Sequence, residues 1–201
     1  MRNYIDLAQY YPSQITFGKF NLKTTPHKMK ASNGIINFYG VGDFNNEFPL
    51  QYNLQRNQSE YVMDNGPFEL ITNKHFIDNA NGDVLIFGLG MGMIVYPLLL
   101  DTDVVSITII EIDQDIIDYI GGIVKENDPS NKVTIIQGDA MTYHEQMVGQ
   151  VFDFIYFDYW DFLCDNAFNE MVMVKQFYSP NKKNPDSVIY SWCEDIRNLI
   201  P

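Results

Sequence analysis

From Asp83 to Val95 the chain reads Asp-Val-Leu-Ile-Phe-Gly-Leu-Gly-Met-Gly-Met-Ile-Val, an apolar run that breaks into three glycines at alternate positions. Four apolar residues in succession, Val84 to Phe87, suit a strand buried on both faces, as in a parallel sheet. Gly88, Gly90 and Gly92 then mark where the strand stops and the backbone turns sharply while something approaches it closely. Met93 to Leu100 reads as the following helix, its first amides directed at whatever lies over the turn. This is the outline of a ligand site, and a tight turn that holds nothing has the same spacing.

An acid after the next strand favours the ligand. Val105 to Ile110 is a β-branched run ending in Glu111, nineteen residues beyond Gly92. At the end of a parallel strand beside the first, that carboxylate can accept hydrogen bonds from both hydroxyls of a ribose. A third strand, Val133 to Ile136, runs into Gln137-Gly138-Asp139-Ala140, and a fourth, Phe152 to Phe157, delivers Asp158 to the same sheet edge, followed by Tyr159-Trp160-Asp161.

Glu111 with a later Gly-Asp-Ala at the third strand resembles the class I S-adenosylmethionine-dependent methyltransferases, in which the second acid contacts the adenine amino group. The ordered motifs Thr72-Asn73 to Phe76, Gly82 to Ile86, Gly88 to Met93, Tyr156 to Trp160 and Ser191-Trp192-Cys193 are similar to those of small methyltransferase-like proteins often encoded by phages and prophages. The likeness covers about residues 63 to 197. It implies S-adenosylmethionine as cofactor, held by Gly88, Gly90, Gly92, Glu111, Ile112, Asp139 and Ala140. It also implies that Asp158 faces the reacting methyl group.

For Asp158 the residues leave three roles open: a general base, a group that orients the acceptor, or a carboxylate capping the next segment. Asp161 lies nearby and serves equally well as a solvated acid. Tyr159 and Trp160 fit stacking on a substrate or packing in the core. His75 suits a structural place on its helix, and Met91 and Met93 read as turn residues with side chains in the core.

The remaining pattern completes a βαβ order. Phe68 to Ile77 reads as a helix across the sheet, Asp113 to Lys125 as a second with Ile116, Ile117, Ile120 and Val124 on one face, and Asn166 to Tyr178 as a third. Ser187 to Tyr190 reads as the fifth strand. The expected fold is α/β: an open, mostly parallel Rossmann-like sheet of order 3-2-1-4-5 with helices on both faces. The resemblance implies that residues 63–201 form the S-adenosylmethionine-binding domain. Residues 1–62 form a small β-rich N-terminal region, with strands at Ile15 to Phe17 and Ile35 to Tyr39 and a turn at Asn33-Gly34. Spermidine synthases, which share the cofactor fold, also begin with a small β region that shapes the amine site. The usual methyltransferase sheet has two further strands after the fifth, so an exposed edge here leaves homo-oligomerisation open.

Charge narrows the partners. The chain carries 13 Lys and Arg against 26 Asp and Glu, a net charge of −13, with no basic run. Phosphate-backbone binding draws its affinity from cations, so nucleic acid is a poor partner and a small-molecule acceptor is expected. Cys164 and Cys193 are too few for a disulfide framework or metal site and suit a cytoplasmic protein. The seventeen uncharged residues from Val84 to Leu100 reach the lower range of a membrane span, but their glycines, Pro97 and flanking aspartates favour a buried strand and turn. The leading expectation is a methyltransferase. The alternatives are a spermidine synthase-like aminopropyltransferase using decarboxylated S-adenosylmethionine, and an inactive protein that only binds a nucleoside cofactor. The Gly-Leu-Gly-Met-Gly turn lacks the acid usual in aminopropyltransferases.

Overall fold

A computed structural model describes residues 5–26 and 50–194. The second expected N-terminal strand, Ile35 to Tyr39, and its Asn33-Gly34 turn lie outside the described residues.

Four antiparallel strands come first: β1 (Gln14–Phe17), β2 (Phe20–Pro26), β3 (Leu50–Arg56) and β4 (Glu60–Asp64), paired in that order. Phe20 and Leu22 on β2 and Tyr52 and Leu54 on β3 are buried at alternate positions, as one covered sheet face requires. Five parallel strands follow: β5 (Gly82–Phe87), β6 (Val104–Glu111), β7 (Val133–Gln137), β8 (Phe154–Phe157) and β9 (Val188–Ser191). Their spatial order is β7-β6-β5-β8-β9, which is 3-2-1-4-5 within this sheet.

The central strands of the parallel sheet, β5 and β8, are buried on both faces. Val84 and Ile86 join one apolar cluster, while Leu85 and Phe87 join another. β8 repeats the alternation, with Phe154 and Tyr156 opposite Ile155 and Phe157. The first cluster also contains Leu22, Tyr52 and Leu54, so the two sheets share one core.

The helices differ in detail from the sequence pattern. Phe68 to Ile77 forms two short helices, α1 (Pro67–Thr72) and α2 (Lys74–Asn79), divided at Asn73. The Asn73 amide donates to the Glu69 carbonyl at 3.0 Å and its oxygen accepts from the Tyr156 hydroxyl at 2.6 Å, a tie to β8 that holds the break. After the glycines, only α3 (Tyr96–Leu99) is helical, and Met93 lies in a turn. Pro97 has no amide hydrogen to give to Met93 and is confined to the first helical turn, so the helix begins at Tyr96. The expected display of helix amides from Met93 onward is therefore absent from this segment. Asp113 caps α4, which runs through Gln114–Ile116, a π-type turn Ile117–Gly121 and Gly122–Glu126. Last comes α5 (Asp165–Tyr178).

Candidate functional site

In an open parallel sheet, ligands bind beyond the carboxyl ends of the strands at the point where strand order reverses. Here β5 lies at that point, and the ends of β5, β6, β7 and β8 open onto one cleft of about 300 Å³. Gly88 and Gly90 form its floor, Glu111 to Asp113 and Gly138 to Ala140 one wall, and Asp158 to Asp161 the other. The antiparallel sheet covers it with Phe20, Leu54, Arg56, Val62 and Met63.

Glu111 is held at both oxygens. Oε2 accepts from the Leu89 amide at 2.8 Å and Oε1 from the Asp113 amide at 2.9 Å. Burial pushes its pKa up, against the opposing pull of those amides. An ionised carboxylate offers about four acceptor positions, so capacity remains on the cleft side. Asp139 Oδ1 accepts from the Met141 amide at 2.8 Å, and Ile112, 64% exposed, presents an apolar surface to the same space. The Ala140 carbonyl is taken by the Tyr178 hydroxyl at 2.9 Å.

The glycines are required by the protein's own packing. At Gly88 φ is +93°, and an added Cβ would lie 2.1 Å from the Asp158 carbonyl oxygen. At Gly90 φ is +50°, and a Cβ would lie 2.3 Å from Met63 Sδ on β4. Gly92 faces away from the cleft, toward Val124 and Tyr96.

Asp158 follows β8, with its amide donating to the Phe87 carbonyl at 2.8 Å. Its carboxyl has no hydrogen bond to any described residue, and burial pushes its pKa up to about 7. Glu69, on α1, lines the same cleft and is 8% exposed. Burial pushes its carboxyl well above the usual range, with further repulsion from Asp158 and Asp64. Asp161 is paired with Arg56 at 3.1 Å, which also holds Glu60 at 3.0 Å. Tyr159 and Trp160 stack on each other with centroids 4.0 Å apart, and both line the cleft. His75 packs on Tyr190 outside it.

Sequence reading missed Glu69 and every residue that the antiparallel sheet contributes. The signal at Glu69 was an acid inside an apolar helix face, Phe68-Glu69-Leu70-Ile71. The signal for β2 and β3 was strict alternation, Phe20, Leu22 and Leu50, Tyr52, Leu54.

No protein-family model matches the sequence, and no curated protein matches it. Solved structures do. Spermidine synthase from Thermotoga maritima aligns over 85% of this chain at 15% identity with a TM-score of 0.52. An SAH-bound methyltransferase from Podospora anserina aligns over 64% at 19% identity and a TM-score of 0.47. A SAM-dependent methyltransferase from Thiobacillus denitrificans in complex with S-adenosyl-L-homocysteine aligns over 63% at 16% identity and a TM-score of 0.44. The chain spans 54%, 53% and 48% of the length of these three proteins, about half of each. The strand order and the likeness to spermidine synthase define the fold alone, an open parallel Rossmann-like sheet preceded by an antiparallel one. Among the described residues no helix is long and apolar enough to cross a membrane.

Proposed function

We propose that this chain is a methyltransferase that binds S-adenosylmethionine and acts on a small, non-nucleic-acid acceptor. The observation that carries the reading is Glu111, fixed by two backbone amides at the end of β6 with acceptor capacity left toward the cleft. That capacity fits the two hydroxyls of a ribose, Asp139 fits the adenine amino group, and Ile112 fits the adenine face. When bound, the cofactor supplies a methyl group on a positively charged sulfur, ready for in-line displacement. The chain's own part is to position the acceptor against that group and to keep water out, which the antiparallel sheet does by covering the cleft. Asp158 and Asp161 stand on the side of β5 opposite Glu111 and Asp139, so the acceptor belongs there.

Calorimetric titration of the whole chain with S-adenosylhomocysteine tests the reading. Binding that Glu111→Ala weakens supports it, and no binding by folded wild type overturns it.

A second reading, transfer of an aminopropyl group from decarboxylated S-adenosylmethionine, draws on the cleft's charge. Its described lining carries six carboxylates, Glu69, Glu111, Asp113, Asp139, Asp158 and Asp161, against one cation, Arg56, which already holds two acids. A cofactor without a carboxylate avoids that field. Tighter binding of methylthioadenosine than of S-adenosylhomocysteine would select this reading.

A further inference from the structure

The glycine turn after β5 is held from two sides. On the cleft side Glu111 Oε2 takes the Leu89 amide, and behind the turn the Tyr11 hydroxyl donates to the Met91 carbonyl at 2.9 Å. The Gly92 amide donates to the Leu89 carbonyl at 2.8 Å, so the Met91–Gly92 peptide is fixed at both its oxygen and its nitrogen. Such fixing matters because Gly90 and Gly92 sit at φ +50° and +68°, and glycine passes between positive and negative φ at little cost. A turn with that freedom keeps one shape only where its peptides are tied.

Tyr11 lies eighty residues from Met91 in sequence and is 4% exposed. Its single proton goes to Met91, so the Tyr96 hydroxyl, 2.7 Å away, is the donor in the bond between the two phenols. Burial pushes the Tyr11 pKa well up, which keeps the hydroxyl a donor. The Tyr11 carbonyl accepts from the Tyr52 hydroxyl on β3 at 2.8 Å, and Tyr10 stacks on Tyr96 with centroids 3.8 Å apart. Tyr11 and Met91 stand outside the cleft lining, whereas Leu89, Gly90 and Met93 belong to it. One strand, β3, thus covers the cleft with Leu54 and Arg56 and braces the rear of the turn through Tyr52.

We propose that Tyr11 is a positioning residue for the cofactor, setting the shape of the glycine turn through the Met91 carbonyl. The inference rests on the reading of the cleft as a site for S-adenosylmethionine, and it concerns the turn alone. Without the Tyr11 hydroxyl the Met91 carbonyl is a buried acceptor with no partner, and rotation of the Met91–Gly92 peptide relieves it. That rotation breaks the bond from Gly92 to Leu89 and lets Leu89 and Gly90 leave the cleft floor. The cofactor then meets several turn shapes where the wild type offers one, and its apparent affinity falls by the fraction of chains in the binding shape. The N-terminal segment serves the cofactor site without touching the cofactor.

The test uses the full chain, with Tyr11→Phe keeping the ring and removing one hydroxyl, and Tyr156→Phe as the control. The control loses a buried phenol bond of the same kind, to Asn73, and leaves the glycine turn alone. Affinity for S-adenosylhomocysteine should fall about fivefold or more in Tyr11→Phe and stay within about twofold of wild type in Tyr156→Phe, with urea denaturation of both showing what loss of stability they share. In the ligand-free chain the Gly90 and Gly92 amide resonances should broaden or split in Tyr11→Phe only, and saturating S-adenosylhomocysteine should restore single lines. Wild type supplies an arm that depends on no variant: by reciprocity, S-adenosylhomocysteine should slow exchange of the Tyr11 hydroxyl proton more than that of Tyr156. Wild-type affinity with unchanged glycine resonances in Tyr11→Phe overturns the proposal. An equal loss of affinity in Tyr156→Phe also overturns it, because the effect would then be general destabilisation. If S-adenosylhomocysteine binds none of the three chains the cofactor reading falls, while the ligand-free resonances still decide whether Tyr11 sets the turn.

Discussion

The amide of Leu89 donates to the carboxylate of Glu111 at 2.8 Å across twenty-two residues of sequence, tying the glycine turn after β5 to the end of β6. The same carboxylate accepts from Asp113, so one side chain sets the turn, the strand end and the start of α4.

Glu111→Ala removes both acceptors and leaves two amides without partners. Cofactor affinity should fall by about 1–3 kcal/mol, and the fold should lose stability by a similar amount. Glu111→Gln keeps one carbonyl acceptor and should retain more stability than affinity. Calorimetry and urea denaturation on the same samples separate the two effects, and unchanged binding in a folded Glu111→Ala would remove Glu111 from the ligand site.

Gly90→Val tests whether the turn's glycine serves the protein or only a ligand. A β-branched residue at φ +50° meets both backbone strain and Met63. Stability should drop by about 1–3 kcal/mol even with no cofactor present. Adding Met63→Ala should recover part of that loss, because the clash is with a flexible side chain, whereas the strain stays. Equal melts of Gly90→Val and wild type would contradict the packing of β4 on the turn.

The parallel sheet was legible because its strands carry dense apolar or β-branched runs: Val84 to Phe87 is unbroken, Val105 to Ile110 is rich in Val, Ile and Thr, and Phe152 to Phe157 is interrupted only by Asp153. The strand-end acids Glu111, Asp139 and Asp158 followed from that order, and all three line the cleft. The antiparallel sheet was legible only at β1. In β2 and β3 the apolar residues alternate with Asn21, Lys23, Gln51 and Asn53, so no run forms, and the site's cover stayed hidden. Asn73 broke the first helix through a bond to Tyr156, a long-range contact that no local pattern carries. Glu69 was hidden for the same reason: its place in the cleft depends on where α1 packs.

Arg56 on β3 and Asp161 beyond β8 join the cover to the sheet edge, with side chains 28% and 23% exposed. A half-buried pair of this kind should show a coupling of about 0.5–1.5 kcal/mol in a double-mutant cycle of Arg56→Ala and Asp161→Asn, above the usual surface value. Both acids are held by the one nitrogen Nη1, a geometry that an ammonium with three donors can repeat, so Arg56→Lys should recover more than half of the coupling. Additivity of the two substitutions would show that the cover is held by apolar contact alone.

The pH dependence of stability should carry the signature of Asp158. An aspartate ordinarily titrates near 3.8, and burial raises this one to about 7 in the fold. Between those values the folded state binds more protons than the unfolded one, so unfolding free energy falls as pH rises. The contribution is fully present below pH 4, is lost progressively up to about pH 7, and is flat above. Glu69 shifts in the same direction, with Asp64 adding to it, while Tyr156 and Cys193, which also feel Asp158, are pushed up by burial and stay neutral across this window. Asp83, lowered by Ser106 and Lys183, works in the opposite sense, so wild type alone gives a mixed curve. The informative quantity is the difference between wild type and Asp158→Asn in urea denaturation at pH 5.5 and pH 8.5. The variant should gain on wild type as pH rises, by an amount on the order of 2 kcal/mol. A difference that does not change with pH would mean that Asp158 is ionised throughout and is no reservoir for a substrate proton.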